Sequence, residues 1–267
     1  MIIIGEKING SIPSVAKAIA GKDADFIRDL AKRQAEVGAD FIDVCASVKD
    51  EIELQTMKWL IDLVQEVTEI PIAVDSPNTL ICAEALKFCN KPGLINSVSL
   101  EGEKIAQVFP VIADTKWQCA ALLCDDTGIP KTAEHRIDIF KKIMEEAKAY
   151  GIKPSRLHID PLVEMLCTSE DGVQMMMDVI REIKEIEPEI HVTGAVSNIS
   201  FNLPYRKIVN MGFTVLSMQA GMDSAILDPL NRDLRGIIYA TEAMLGNDEY
   251  CMEYIEAFRD NIFGEQK

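Results

Sequence analysis

The sequence predicts one (β/α)₈ barrel over residues 1–267, and three observations carry that expectation. Eight short apolar runs rich in β-branched residues recur along the chain, and amphipathic stretches of helical period separate them. No Ser/Gly-rich linker, low-complexity tract or long charge block breaks the alternation, so no second domain is drawn. Strands buried on both faces of a parallel sheet read as continuous hydrophobic runs. The 267 residues, 48% of them apolar, also fit the size of about 250 residues at which such barrels commonly form one domain.

The runs lie at 2–5, 41–46, 71–75, 94–97, 120–124, 157–160, 191–196 and 214–218. Between them, 25–37, 56–67, 138–149 and 173–187 set apolar residues at helical spacing with charges in between. Each helix meets a breaker: Gly38, Pro71, Gly151 and Pro188. The tail from 231 to 263 reads as helices closing the barrel. An open doubly wound sheet is the alternative, because strand number alone does not establish closure. A nucleotide-binding version of it lacks its phosphate loops, since there is no GxGxxG after the first run and no GxxxxGK[ST] anywhere.

Composition narrows the partners. A net charge of −16 repels nucleic acid and anionic membrane. The N-terminal MIIIGEKING has too short an apolar run for a signal peptide or a membrane span, so a cytoplasmic protein is expected. Seven cysteines without CxxC spacing read as reduced, structural residues, and three scattered histidines give no metal-ligand spacing.

The active face of such a barrel lies at the C-terminal ends of its strands. There the runs end in polar residues: Glu6 and Asn9, Asp75, Asn96, Asp125 with Asp126, Asp160, and Ser197 with Asn198. Any one of these reads equally well as a helix N-cap. As a set, Asp75, Asn96, Asp160 and Asn198 end hydrophobic strands and would share one pocket suited to a neutral, hydrogen-bonding heterocycle. A pterin is such a ring, because a carboxylate accepts its 2-amino and N3–H donors together and a neutral amide pairs with its donor-acceptor edge.

MIIIGEKING, the DS of PIAVDS, GLINSVS, TGIPK, HIDPL and AVSNIS occur in this order over nearly the whole chain. As a set they resemble the methyltetrahydrofolate:corrinoid protein methyltransferases, whose pterin-binding barrel is shared with dihydropteroate synthases and the folate module of methionine synthase. The resemblance implies that Asp75, Asn96 and Asp160 hold the pterin and that Asn198 sits near N5. Ser197 and Gly194 would shape the adjacent wall, with Glu6, Asn9 and Asp43 supporting the pocket floor. It implies (methyl)tetrahydrofolate as substrate, cobalamin carried by a separate corrinoid protein, and a homodimer. No metal of its own is needed, because the cobalt is the nucleophile.

In that chemistry Asn198 would strengthen a hydrogen bond as charge develops at N5, and Asp75 would support the positive charge electrostatically. The pattern departs from the family after AVSN, where Phe201 stands in place of a glutamine found in some relatives. Three rivals stand beside this reading. A dihydropteroate synthase would need an anion site, yet CASVKDEIE follows the second strand. A noncatalytic pterin- or corrinoid-binding subunit would share the pocket but not turn over. A metal-dependent aldolase or lyase would want a strand lysine, and none of the eight runs contains one. His158 and Met175–177 read as core, and Lys131 as equally a folate-tail contact or a solvent-facing residue.

Overall fold

Full burial explains why the strands read as uninterrupted apolar runs: in the computed structural model, which describes residues 1–265, Phe41–Cys45, Leu157–Asp160 and Ser224–Leu227 are buried at every position. One face of each strand fills the barrel and the other takes a helix. The chain begins with β1 (Ile2–Asn9), α1 (Pro13–Gly21) and α2 (Ala24–Glu36), then β2 (Phe41–Cys45) and α3 (Asp50–Val67). It continues with β3 (Ile72–Asp75), α4 (Thr79–Ala85), β4 (Leu94–Leu100), α5 (Lys104–Ile112), β5 (Gln118–Asp125) and α6 (Ala133–Ala149). The second half holds β6 (Leu157–Asp160), α7 (Gly172–Ile186), β7 (His191–Val192), α8 (Arg206–Ala220) and β8 (Ser224–Leu227). Two helices, α9 (Arg232–Met244) and α10 (Met252–Arg259), follow the last strand. None of the helices among the described residues is long and apolar enough to cross a membrane.

All eight strands are parallel, in the order β7-β6-β5-β4-β3-β2-β1-β8. The remaining seam, between β7 and β8, is closed by Ile226 N donating to Gly194 O at 3.0 Å, Asp223 N donating to Val192 O at 3.3 Å, and the Ala195–Ile226 bridge. The architecture is the expected barrel. The interior holds a small apolar layer of Ile4, Phe41, Ala73, Leu94 and Ile226, while the large core lies between strands and helices.

One strand is misplaced in the sequence reading. Residues 214–218 (TVLSM) lie inside α8, and the eighth strand is Ser224–Leu227. The run carries Thr and Val, yet its buried residues Phe213, Thr214, Ser217 and Met218 fall at helical spacing. The hydroxyls that favour extended backbone are bound within the helix, Thr214 Oγ1 to Asn210 O and Ser217 Oγ to Thr214 O. Gly221, at φ 119°, then ends the helix in the left-handed region.

His158 is a core residue, as expected. It is fully buried inside the barrel, bonded to Ser224 Oγ and Gln118 Oε1 and stacked on His191 at 4.8 Å, and burial depresses its pKa to about 3. All seven cysteines are free thiols, with Cys167 and Cys251 exposed. Met176 and Met177 are buried on α7, and Lys131 is exposed.

Candidate active site

Residues two apart on a strand share a face, and that spacing builds the site. Four side chains of the inner apolar layer, and the buried His158, are each followed one layer nearer the C-terminal mouth by a polar one: Ile4 by Glu6, Phe41 by Asp43, Ala73 by Asp75, Leu94 by Asn96 and His158 by Asp160. These five polar residues, together with Asn9, Ser197 and Asn198, line one cavity of about 560 Å³. Gly194 lies behind it, where an added Cβ would come 2.8 Å from Val163 Cγ2 and 3.8 Å from Asp160 Oδ1. It packs beside Asp160 and Val163.

Other polar strand ends stay out of the cavity. Asp125 closes a turn through Thr127 N and Thr127 Oγ1 and meets His135 Nε2 at 3.2 Å, and Asp126 accepts from Gly102 N. At these two positions a backbone or side-chain partner takes the carboxylate, although neither residue caps a helix: the N-cap of α6 is Thr132. Asn9 does both, bonding Ser11 N at 2.9 Å and lining the cavity.

Asp43 is buried and accepts from Asn96 Nδ2 at 3.2 Å, which turns the amide oxygen of Asn96 to the cavity. Asp160 is buried too, and its Oδ1 accepts from Leu162 N at 2.7 Å, leaving the second oxygen for a ligand. Burial pushes the Asp160 carboxyl up to about 6, against the Leu162 hydrogen bond and the charge of Arg136. Asp75 also rises to about 6 through burial, opposed by a Cys45 hydrogen bond and aided by Glu53. Burial and then the neighbouring Asp228 lift Glu6 to about 7, and burial with the charge of Asp75 holds Asp43 well above the usual carboxylate range. Four acids thus face one cavity in a setting that favours their protonated form. A ligand that brings N–H donors removes that constraint, because donors stabilise the carboxylate.

Asn198 sits in a single 3₁₀ turn, Val196–Ser200, pinned by the buried side chains of Val196, Ile199 and Ser200. Its side-chain amide has no partner among the described residues, so it is available to a ligand. Ser197 Oγ reaches Glu6 Oε2 at 3.5 Å.

Two arginines that hold these loops are not legible as site residues in the sequence. Arg206 lines the cavity, donates to Ser197 O at 2.6 Å and Ser200 Oγ at 2.9 Å, and stacks on Phe201 at 4.6 Å. Arg136 is 1% exposed on α6 and ties Pro130 O to Pro161 O, Leu162 O and Glu164 in the loop that follows Asp160.

Comparison with known proteins places the chain in a family. The pterin binding enzyme family model matches residues 7–228. The chain belongs to that family. A methylcorrinoid:tetrahydrofolate methyltransferase of Eubacterium limosum is 50% identical over 266 residues, covering 99% of this chain and 98% of its own. That places the chain among the methyltetrahydrofolate:corrinoid methyltransferases within the wider family. The methionine synthase of Mycobacterium tuberculosis is 28% identical over 251 residues, 87% of this chain but 21% of the longer protein. Among solved structures, dihydropteroate synthases of Coxiella burnetii, with pteroic acid, and Xanthomonas albilineans, with 7,8-dihydropteroate, share the fold. The first has a TM-score of 0.65 at 16% identity, covering 91% of this chain and 92% of that one; the second has 0.64 at 17%, covering 92% of each.

Proposed function

We propose that this methyltransferase moves a methyl group between N5 of tetrahydrofolate and the cobalt of a corrinoid carried by a partner protein. The 50% identity to the Eubacterium limosum methyltransferase across both chains supports the reaction class most strongly. That relative's name supports transfer from the methylcorrinoid onto tetrahydrofolate.

The donor set fits a pterin. The carboxylate of Asp160, with Oδ2 unbonded and a second lone pair on Oδ1 beside the Leu162 bond, takes the 2-amino and N3–H edge, Asn96 presents its oxygen to a ring N–H, and Asp75 completes the hydrogen bonding. Ionising an acid held near pH 6 costs less once two ring donors face it.

The cobalt supplies or accepts the methyl carbon. In the proposed direction, N5 donates its lone pair to the methyl carbon as the carbon–cobalt bond breaks, the pair stays on the metal, and the N5 proton leaves. Positive charge builds on N5 at that moment. The Asn198 amide oxygen accepts a hydrogen bond from N5–H that tightens with the charge, and Asp75 stabilises it through the field of a water-poor site. Glu6, near neutral pH and joined to Ser197, offers a place for the released proton. A cytoplasmic setting, a homodimeric assembly and a place in O-demethylation or acetyl-forming metabolism belong to the same proposal and rest on the resemblance.

Mixing the protein with methyltetrahydrofolate and free cob(I)alamin tests it by running the transfer in reverse. Enzyme-dependent methyl transfer is expected. Tight tetrahydrofolate binding without turnover would mark a noncatalytic subunit, and no folate binding would defeat the reading.

A further inference from the structure

Behind the folate cavity, a carboxylate occupies the apolar face of α3. Glu53, Met57, Leu60, Ile61 and Val64 form the buried stripe of that helix, and Glu53 is 3% exposed. Glu is almost never fully buried unless paired, and a leucine would pack at this position with no charge to desolvate. The first turn of α3 offsets part of the cost, because the free N–H groups of a helix start favour a negative neighbour. The remainder is met by one specific partner.

That partner belongs to the strand that carries Asp75. Glu53 Oε1 accepts from Ser76 Oγ at 2.6 Å, and Ser76, 2% exposed, directly follows Asp75 at the end of β3. A hydroxyl has one proton, so giving it to Glu53 leaves the lone pairs of Ser76 Oγ for Asn78 N, which donates to it at 3.1 Å. The backbone N of Ser76 donates to Asn96 O at 3.1 Å, and its carbonyl accepts from the Cys82 thiol at 3.5 Å. Ser76 thereby ties α3, β4 and α4 to one point. Asp75 and Asn96, register partners on β3 and β4, are anchored there and line the cavity, whereas Glu53 and Ser76 do not.

We propose that Glu53 is a positioning residue for the methyl transfer: through the Ser76 hydroxyl it fixes the end of β3, and with it the placement of Asp75 and Asn96 against the pterin. This rests on the folate reading of the cavity. The charge of Glu53 gives the link a second signature. Burial raises the Asp75 carboxyl, the Cys45 hydrogen bond opposes the rise, and Glu53 adds to it. Asp43 and Cys45 from β2 and Cys82 from α4 are the other ionisable groups facing Asp75, and β4 presents the neutral Asn96.

Tetrahydrofolate titration into wild type, Glu53→Gln, Glu53→Leu, Ser76→Ala and the Glu53→Leu/Ser76→Ala double variant tests this, with melts fixing a temperature at which each is folded. Glu53→Gln keeps an oxygen for the Ser76 hydroxyl and should bind within ~3-fold of wild type. Glu53→Leu and Ser76→Ala should each lose ~10-fold, and the double variant no more than either. Carbon NMR of the aspartate carboxyls in the folate-free protein should show Asp75 titrating at a lower pH in Glu53→Gln than in wild type. That arm needs no ligand, so a failure of the folate reading, seen as no binding by wild type, is distinguished from a failure of the link. Unchanged binding in Glu53→Leu, losses that add in the double variant, or an Asp75 titration that does not move would each overturn the proposal. If Glu53→Leu does not fold, Ser76→Ala and the Asp75 titration decide.

Discussion

Asn96 donates its side-chain N–H to Asp43 across 3.2 Å, so a buried acid of the same cavity sets the orientation of the amide beside it. The contact needs an acceptor at position 43 and not a charge. Asp43→Asn keeps an oxygen there and should bind tetrahydrofolate within ~3-fold of wild type, whereas Asp43→Ala frees Asn96 and should lose ~10-fold. Calorimetric titration of the two variants, with thermal melts to confirm folding, separates orientation from charge.

The acids make the folate-free protein sensitive to pH in a stated direction. Glu6 titrates near 7 when folded against an ordinary 4.5, so between those values the native state holds a proton that the unfolded chain has released. Stability therefore falls as pH rises through that window, and the full penalty applies above pH 7. Asp75 and Asp160, both near 6, add to the fall between about pH 4 and 6. Glu6→Gln should stabilise the folate-free protein by on the order of 2 kcal/mol at pH 8 and leave it unchanged at pH 4. Chemical denaturation at the two pH values checks this, and equal effects at both would contradict it.

Arg136 satisfies carbonyls of two loops at once from a fully buried position. Arg136→Met removes the donor and leaves Pro130 O, Pro161 O and Leu162 O without it, which should cost ~3 kcal/mol or more in urea denaturation. Because the second loop follows Asp160 directly, folate affinity should fall as well, at temperatures where the variant is folded. Unchanged stability would show that the carbonyls find other partners.

Gly194 tests packing behind the pterin carboxylate. Its backbone closes the barrel through Ile226 N, and a methyl group there would press on Val163 at 2.8 Å. Gly194→Ala should destabilise by ~1–3 kcal/mol and, by pushing Val163 in the segment that follows Asp160, weaken folate binding, which a melt and titration read separately.

The barrel was legible in the sequence because burial on both strand faces leaves apolar runs of strand length, and the polar residues that end those runs have few places to go but the mouth. Two-residue spacing then carried Glu6, Asp43, Asp75, Asn96 and Asp160 to one layer. The reading failed at 214–218, where hydroxyls bonded within the helix let a β-branched run sit in α8. Arg136 was invisible, and Arg206 showed only as part of a polar pattern after AVSN, for a different reason: each works by gathering carbonyls and side-chain oxygens from neighbouring loops, and neither the helix pattern of α6 nor the start of α8 signals those partners.

Separation of recognition from chemistry is what this site is proposed to achieve, with Asp160 on the pterin edge and the unpartnered amide of Asn198 at N5. Tetrahydrofolate titration and single-turnover methyl transfer, measured together on Asp160→Ala and Asn198→Ala, decide it. Asp160→Ala should lose ~100-fold in affinity, and Asn198→Ala should bind within ~5-fold of wild type while its transfer rate falls ~100-fold, matching the loss of one charge-stabilising hydrogen bond. Parallel losses of binding and rate in both variants, or an undiminished rate in Asn198→Ala, would contradict that division.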